Sequence, residues 1–466
     1  MSILEKAFNV MAVLEPHAED VLLVGGYVRD KLLNIESKDV DIEVYGMNYD
    51  RIVRVLRDAG YRPGVVGRQF GVVNVDNVLD LSVPRRENKI GKGHRGFNVE
   101  PDPTMTPREA AARRDFTMNS MAMRRDGTIL DYHGGREDLH NRILRKVSGA
   151  FKEDPLRVLR GMQFAARLPV RPDLGRGATM DDDTVQACRE MVGEYDTLAV
   201  ERIWGEWKKL LLEGRRISDG LALLKDTWWL GKYPELEALV GCPQDPEWHP
   251  EGDVWIHTLH AVDAAAAIAD REGLDEEDRL VLVLATLCHD LGKPSVTVKS
   301  EEGRWWCPDH AGAGRVPAET FMTSIRTPAR VQARVIPLVA NHMWHLGFPE
   351  EMPSDRAICR LANRLEKASI RMLALLVEAD SCDRTVCKGK QRIDAVVARA
   401  DAMEVAEKPV APLLMGRHLI ARGLKPGKAF GRILDAAYAA QVDQTFHDLE
   451  GAMEWLAAYL EEDPAS

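Results

Sequence analysis

The chain has no C-x-x-C pair among its 7 cysteines, no apolar run long enough for a bilayer and no surplus of positive charge. An odd number of cysteines without paired spacing argues against a disulfide framework and predicts reduced thiols in the cytoplasm. Cys382 and Cys387 are close in sequence but lack the two further partners that a zinc knuckle needs nearby. The most apolar stretch, Leu280 to Cys288, is far shorter than the ~20 residues of a membrane span. The first residues, MSILEKAFNV, mix Glu and Lys and contain no secretory h-region. Internal repeats and low-complexity segments are also missing, which excludes solenoid, collagen-like and disordered chains. The 62 Lys plus Arg against 73 Asp plus Glu leave a net charge of -11, which disfavours a non-specific polyanion binder.

What is present is an ordinary globular composition, 45% hydrophobic and 29% charged, spread over 466 residues. That length exceeds a single hydrophobic core, so several domains are expected. Residues 1–138 read as mixed strand and helix, with β-branched runs at Val21–Val24, Val40–Val44, Val72–Val75 and Val78–Val83. From Arg142 the pattern turns helical, and the run from Asp154 to Leu168 predicts an Arg-studded helix. Breaker clusters at Pro169–Gly177, Gly241–Gly252 and Lys408–Pro412 punctuate the rest. The resulting expectation is an α+β chain with a mixed-sheet head (1–138), a helical neck (139–215), a helical body (216–400) and a helical tail (401–466). Charge is uneven: Arg85 to Arg171 holds 19 basic against 11 acidic residues. A face meeting phosphates or a solvated face of mixed charge explains that equally well.

The sequence L-V-G-G-Y-V-R-D (Leu23–Asp30) precedes K-D-V-D-I-E-V (Lys38–Val44). If Val40–Val44 is a strand, Val40, Ile42 and Val44 share one face, and Asp39 and Asp41 project from the other. Asp80, in V-L-D-L-S-V, is a third inward carboxylate beside Leu79, Leu81 and Val83. Three carboxylates on neighbouring strands suit two Mg²⁺ ions clamping a hydroxyl and a triphosphate. Gly25 and Gly26, ahead of a short helix, allow a phosphate to approach the backbone.

Strand, Gly-Gly, helix, D-x-D strand and a further Asp strand together resemble the nucleotidyltransferase superfamily. Downstream motifs narrow the resemblance to class II tRNA nucleotidyltransferases, the CCA-adding enzymes. They are A-R-R-D-F-T-M-N (Ala112–Asn119), D-Y-H-G-G-R-E-D-L (Asp131–Leu139), E-D-P-L-R-V-L-R (Glu153–Arg160) and V-E-R-I-W-G-E (Val200–Glu206). The resemblance implies a polymerase beta-like palm, ATP and CTP as substrates, and the tRNA 3′ end as partner. It implies nucleotide contacts at Arg114, Asp115 and Asn119, with Arg29 and Arg160 in the same set; a plain Arg114–Asp115 surface ion pair is the alternative.

Asp154 and Arg157 are three apart, hence on one face of a helix. A carboxylate beside a guanidinium complements cytosine N4–H and N3, or adenine N6–H and N1, and mismatches uracil and guanine. The resemblance names the same pair as a protein template. R-R-E-N-K-I-G-K-G-H-R-G-F (Arg85–Phe97) is basic and glycine-rich and predicts a mobile loop; in the family such a loop helps the switch from C to A.

Seven of the 13 histidines lie between His249 and His345. W-H-P-E-G-D-V-W-I-H-T (Trp248–Thr258), L-C-H-D-L-G-K (Leu287–Lys293) and V-E-A-D-S (Val377–Ser381) place His257, His289, Asp290 and Asp380 in an order that resembles the HD phosphohydrolase superfamily. Imidazole with carboxylate suits Ni²⁺, Mn²⁺ or Mg²⁺. His310 and His342 are additional ligands or phosphate contacts. The resemblance implies hydrolysis of a 2′,3′-cyclic or terminal phosphate. The basic turn Gly416–Lys428 either touches RNA or packs on the body.

A bacterial poly(A) polymerase shares these head and neck motifs. Its basic stretch is missing here, where V-V-G-R-Q-F-G-V-V (Val65–Val73) carries Gln69 and Gly71. CC-only and A-only addition share the template. A dead RNA-binding scaffold or a signalling hydrolase with a vestigial head conflicts with the intact Asp39, Asp41 and Asp80.

Overall fold

The alternating β-branched runs fold as strands. A computed structural model describes residues 2–37, 39–64, 71–76, 78–89, 97–171, 177–347, 352–381 and 388–462. Asp20–Val24 (β1), Asp41–Tyr45 (β2), Val72–Val75 (β3) and Leu79–Ser82 (β4) lie close to where the alternation places them. Arg85–Lys89 (β5) pairs antiparallel with Phe97–Pro101 (β6) as a separate hairpin, while Ala122–Met123 (β7) and Ile129–Leu130 (β8) join the main sheet. That sheet has the order β3-β4-β2-β1-β7-β8, with β2 and β4 parallel and the other neighbours antiparallel. Ile42, Val44, Val73, Val75, Leu79 and Leu81 are all buried on one face, and the helices Ile3–Leu14 (α1), Gly26–Leu32 (α2) and Tyr49–Asp58 (α3) follow in the same unit. Ser2 and Glu5 start α1 with a capping box.

The Arg85–Phe97 segment therefore differs from the expected mobile loop. Its glycines are confined to positions 91–96, so five residues on either side still form a ladder. Residues 90–96 lie outside the described residues, as do 65–70 with Gln69, and Cys382 and Cys387. Cys188, Cys242, Cys288 and Cys359 are buried free thiols.

Pro107–Ala112 (α4) and Gly135–Asn141 (α5) complete the α/β part, and Leu156–Arg167 (α6), Asp182–Glu190 (α7), Val200–Glu213 (α8) and Ile217–Asp226 (α9) extend the same compact unit to Lys232. The expected helix from Asp154 starts two residues late. A residue before proline is excluded from the helical region, and Asp154, ahead of Pro155, is extended at φ -127° and ψ 106°. Asp154 thus stands before the helix rather than on its side face.

The second unit, Tyr233–Ser466, opens with Pro234–Glu237 (α10) and Val254–Glu272 (α11). Glu276–Cys288 (α12) is its central helix; every residue from Leu280 to Cys288 is buried, which is why the run carries no charge. Around it come Lys293–Val296 (α13), His310–Ala313 (α14), Arg315–Ser324 (α15), Ala329–Asn341 (α16), Asp355–Arg364 (α17), Ile370–Asp380 (α18) and Lys388–Ala402 (α19). Gly416–Ala421 (α20), Lys428–Val442 (α21) and Leu449–Glu462 (α22) enclose a small core of their own, built on Leu419, Ile433, Phe446 and Leu456. Among the described residues no helix is long and apolar enough to cross a membrane.

Helix α9 packs against α6 through Gly220. A Cβ there would lie 2.6 Å from the Met162 carbonyl oxygen and 2.8 Å from Leu210 Cδ1. Gly220→Ala is expected to cost about 2 kcal/mol through forced separation of the helices. Gly205→Ala, in open space on α8, is expected to be neutral or stabilising by up to about 1 kcal/mol. Urea midpoints of the two variants check the contrast.

Candidate active sites

In the first unit the sheet register sets the carboxylates. Val24 pairs with Asp41 across β1 and β2, and Asp41 pairs with Asp80 across β2 and β4. Paired residues share a face, so Asp41 and Asp80 leave the sheet together, opposite Ile42 and Leu81. Asp80 accepts from Asn74 Nδ2 at 2.8 Å. Asp39 is exposed just before β2. Desolvation raises the pKa of Asp41 most; Arg114 opposes this, and Asp39, Asp80 and Glu43 add to it. The described metal-donor groups that close to within 4.8 Å all lie in the second unit. An open-spaced carboxylate set fits Mg²⁺, which keeps several waters and needs only one or two carboxylates.

Gly25 sits at the turn into α2 with φ +69°, and a Cβ on it would lie 2.9 Å from Arg114 Nη1. The missing side chain lets the guanidinium rest against the backbone beside Gly26. Arg114 reaches Glu43 at 3.5 Å, so the simple Arg114–Asp115 surface pair is not what forms.

Asp115 turns inward instead. Its Oδ2 accepts from Arg160 Nε at 2.7 Å, and its Oδ1 accepts from the Phe116 amide at 2.7 Å and from Asn119 Nδ2 at 3.0 Å. Asn119 Oδ1 in turn accepts from Arg29 Nη1 at 2.9 Å. Arg29 and Arg160 both lie over the Phe164 ring, at 5.0 Å and 5.4 Å. Burial opposes a charge on Asp115, but Arg160 and the hydrogen bonds outweigh it and bring the carboxyl down to about 2. The D-Y-H-G-G-R-E-D-L motif supports this segment: Asp131 accepts from the Gly135 and Arg136 amides at the start of α5, and Asp138 accepts from Thr117 Oγ1 at 2.7 Å.

Asp154 and Arg157 are each held by a third group. Asp154 Oδ1 accepts from the Leu156 amide at 3.1 Å and its Oδ2 from Arg202 at 2.7 Å. Arg157 donates to the carbonyls of Ala150 at 2.8 Å and Arg113 at 2.7 Å. Their shared helix face gives way to two separately braced groups, because Pro155 takes Asp154 out of the helix. Arg202, inside V-E-R-I-W-G-E, and Phe164 escaped sequence reasoning; spacing names a motif but not the partner a residue reaches.

In the second unit, helix ends bring the expected residues together. His257 lies in the first turn of α11, His289 and Asp290 follow α12, His310 starts α14, His342 follows α16, and Asp380 ends α18. Three helix C-termini at one place favour a cation. His257 Nε2 is 2.9 Å from Asp380 Oδ1; His289 Nε2 is 3.2 Å from Asp290 Oδ2 and 3.4 Å from Asp380 Oδ1. His257 Nδ1 and His249 Nδ1 both meet Glu251 Oε1, at 2.8 Å and 2.9 Å, and Lys293 Nζ is 2.7 Å from Asp290 Oδ2. Glu251, His249 and Lys293 sit within the motifs already noted, yet their spacing does not announce them.

Burial opposes a charge on His289, but Asp290 and Asp380 hold its pKa up at about 10. Burial pushes His342 down to about 3. The Nε2 of His289 and Asp290 Oδ1 are buried without a hydrogen-bond partner among the described residues, while Asp290 Oδ2 faces the Lys293 ammonium. A buried nitrogen–oxygen donor set of this kind fits a transition-metal ion.

Comparison with known proteins finds a family match over part of each unit. The Poly A polymerase head domain family matches residues 21–145, and the HD domain family matches residues 254–384. A Multifunctional CCA protein of Aromatoleum aromaticum is 40% identical over 371 residues, 78% of this chain and 84% of that protein. One from Nitrosococcus oceani is 32% identical over 445 residues, 93% of this chain and 100% of that protein. One from Vibrio parahaemolyticus is 42% identical over 285 residues, 60% of this chain; the match spans 65% of that relative, just under two thirds of its length. Among solved structures, the Bacillus stearothermophilus CCA-adding enzyme in complex with CTP shares the fold with a TM-score of 0.62 at 20% identity, covering 100% of this chain and 99% of that one.

Asp115→Asn is expected to lose about 1–2 kcal/mol at pH 7, since it leaves the half-buried Arg160 charge without its carboxylate. The folded carboxyl, at about 2, lies below its ordinary 3.8. Its contribution is therefore full above about pH 4 and fades as the pH falls through about 2. Urea unfolding of wild type and variant at pH 7 and pH 3 should give a smaller difference at pH 3.

Proposed function

The chain belongs to the multifunctional CCA protein family, CCA-adding enzymes with an HD domain, and from that premise we propose that it adds C, C and A to the 3′ end of tRNA from CTP and ATP. One observation carries the reading: Asp41 and Asp80 pair across neighbouring strands, and the Gly25 turn nearby holds the Arg114 guanidinium against its backbone, which supports a carboxylate–cation site beside a phosphate-binding one. Asp39, Asp41 and Asp80 would hold Mg²⁺, which supplies charge stabilisation at the attacking and leaving oxygens. Gly25, Gly26 and Arg114 receive the triphosphate. Arg29, Asp115, Asn119 and Arg160 act as one buried brace that sets where Arg114 and α6 stand.

Asp154 and Arg157 present an acceptor and a donor to the base. Bracing by Arg202, Ala150 and Arg113 supports a template role, because the groups are held in place before the nucleotide arrives and pay little ordering entropy. Either C or A satisfies them, and U or G leaves a buried carboxylate facing a carbonyl. The head family is named for poly(A) polymerases, but the relatives that span most of the chain are named CCA proteins, which favours ordered CCA addition over A runs.

His257, His289, Asp290 and Asp380 would hold a divalent metal, Ni²⁺ or Mn²⁺ in preference to Mg²⁺ given the imidazoles. Such an ion polarises a phosphate ester, and the substrate class is a 2′,3′-cyclic or terminal phosphate on RNA. Cytoplasmic residence goes with this reading, where tRNA and reduced thiols coexist. Head, neck, body and tail remain our division of the chain, with residues 216–232, assigned to the body, lying in the first compact unit beside the neck.

A tRNA ending before CCA, incubated with each NTP alone and mixed, with the product ends sequenced, tests the reading. Wild type is expected to add CCA and stop, whereas A runs would mean a poly(A) polymerase. Asp41→Ala should abolish addition and leave tRNA affinity within about two-fold, as that affinity comes from distributed phosphate contacts. Arg157→Ala should slow addition and raise the share of U and G; an unchanged ratio among the four NTPs would make the residue purely structural. Asp290→Asn should lose hydrolysis of a cyclic phosphate, yet add CCA to a clean 3′ end at the wild-type rate.

A further inference from the structure

We infer that Trp248 and Trp306 form an aromatic platform beside the second unit's site, on which the last bases of a single-stranded RNA stack while its terminal phosphate enters. The inference deepens the phosphohydrolase reading and rests on it for the chemistry next door.

Large apolar side chains stand out of the surface here. Trp248 is 58% exposed, Trp306 63% and Val298 52%. Val298–Lys299 and Trp305–Trp306 pair as a short antiparallel hairpin, with Val298 opposite Trp306 and Lys299 opposite Trp305. Opposed residues share a face, so Val298 and Trp306 present one apolar side. The Ser300 amide donates to the Arg304 carbonyl at 2.8 Å, which continues the ladder to Arg304. Arg304 precedes Trp306 by two residues and so leaves the chain on the same side. It reaches Asp245 at 2.9 Å and Glu247 at 2.7 Å, which turns the apolar side of the hairpin toward the loop that carries Trp248. That loop is braced from within: the Asp245 carbonyl accepts from the Trp248 and His249 amides at 3.1 Å and 2.9 Å. The platform is therefore set before a ligand arrives, at little ordering cost.

Both indoles adjoin the site. Trp248 is followed by His249, whose ring lies 4.7 Å from that of His257 and shares Glu251 with it. Trp306 is followed by Cys307, whose carbonyl is 2.9 Å from His310 Nδ1. A base stacked on either indole holds its own ribose and terminal phosphate close to those histidines. The size of the patch selects the ligand: two flat rings and a valine match one or two bases, each of which offers a π face. A protein partner engages roughly 20–30 residues a side, far more than this patch supplies. Arg304 is already paired with two carboxylates, so the patch recognises the base by stacking rather than the backbone by charge.

The full-length protein, supplied with divalent metal, is given a short single-stranded RNA ending in a 2′,3′-cyclic phosphate, once with a base on the last ribose and once without. Wild type is expected to prefer the end that carries a base by about tenfold or more in kcat/KM, the size of one stacking contact. Trp248→Ala and Trp306→Ala should each lower that ratio by about fivefold, and the double variant should bring it to about one. Trp306→Phe, which keeps a ring, should retain most of the preference, and Trp228→Ala, an exposed indole of the first unit, should not change it. A second readout needs no turnover: the same RNA with 4-thiouridine as its last base, irradiated with the protein, should crosslink within residues 242–252 or 298–306. An unchanged ratio in the double variant, with both segments free of crosslinks, overturns the inference, and cyclic-phosphate hydrolysis in that same assay leaves the phosphohydrolase reading standing. Crosslinks at the indoles without hydrolysis by wild type keep the platform and overturn the phosphohydrolase reading. A dimer in sedimentation that Trp306→Ala dissolves would mean that a second copy of the chain covers the indoles, and that result also overturns the inference.

Discussion

Asp115 keeps its negative charge inside the protein because Arg160, Asn119 and the Phe116 amide surround it, and the geometry of the first unit's site follows from that arrangement. Asp115 is adjacent to Arg114, and Arg160 is one turn beyond Arg157. Joining 115 to 160 therefore fixes how far the Arg114 guanidinium stands from that of Arg157. Parallel contacts follow the same seam: Arg113 pairs with Glu153 at 2.8 Å, and Ser148 donates to the Ala112 carbonyl at 2.6 Å. A buried ion pair of this kind contributes little net stability against an apolar replacement. What it contributes is position, at the cost of severe damage when half of it is removed.

The strands and the face that Asp41 and Asp80 take were legible because period-2 alternation is a local property, and so was the buried character of α12; the register that pairs the two carboxylates was not. Asp154 was misplaced on a helix although Pro155 was in plain view; three-residue spacing was given more weight than the steric rule for residues before proline. The β5–β6 pairing is not legible from composition, because the residues that pair, 85–89 and 97–101, flank the glycines in sequence. Partners far apart in sequence left no local trace: Arg202 for Asp154, or Glu251 joining His249 to His257. Motifs delimit where such residues occur, and only the fold says which pairs meet.

The two sites manage negative charge in opposite ways. Asp39 and Asp41 keep solvent-facing surface, yet desolvation and the neighbouring Asp39, Asp80 and Glu43 still raise the pKa of Asp41, a cost that a cation relieves. Asp290 is buried with imidazoles and an ammonium group around it, where each unpaired oxygen carries a desolvation penalty. The open site suits a cation that arrives together with a triphosphate. The closed one suits a resident ion with nitrogen ligands. Placing them in separate compact units lets each keep the dielectric environment its metal prefers.

His289, His310 and His342 share one further trait: each ring donates its Nδ1–H to the carbonyl three residues before it, at Thr286, Cys307 and Val339. The aim of each ring is thereby set by its own turn of backbone rather than by a distant neighbour. A donor and the helix end that carries it travel as one rigid piece. Loops between those helices can lengthen or shorten without flipping a ring or changing its tautomer, which makes the site tolerant of insertions and portable as a set of prefabricated helix ends.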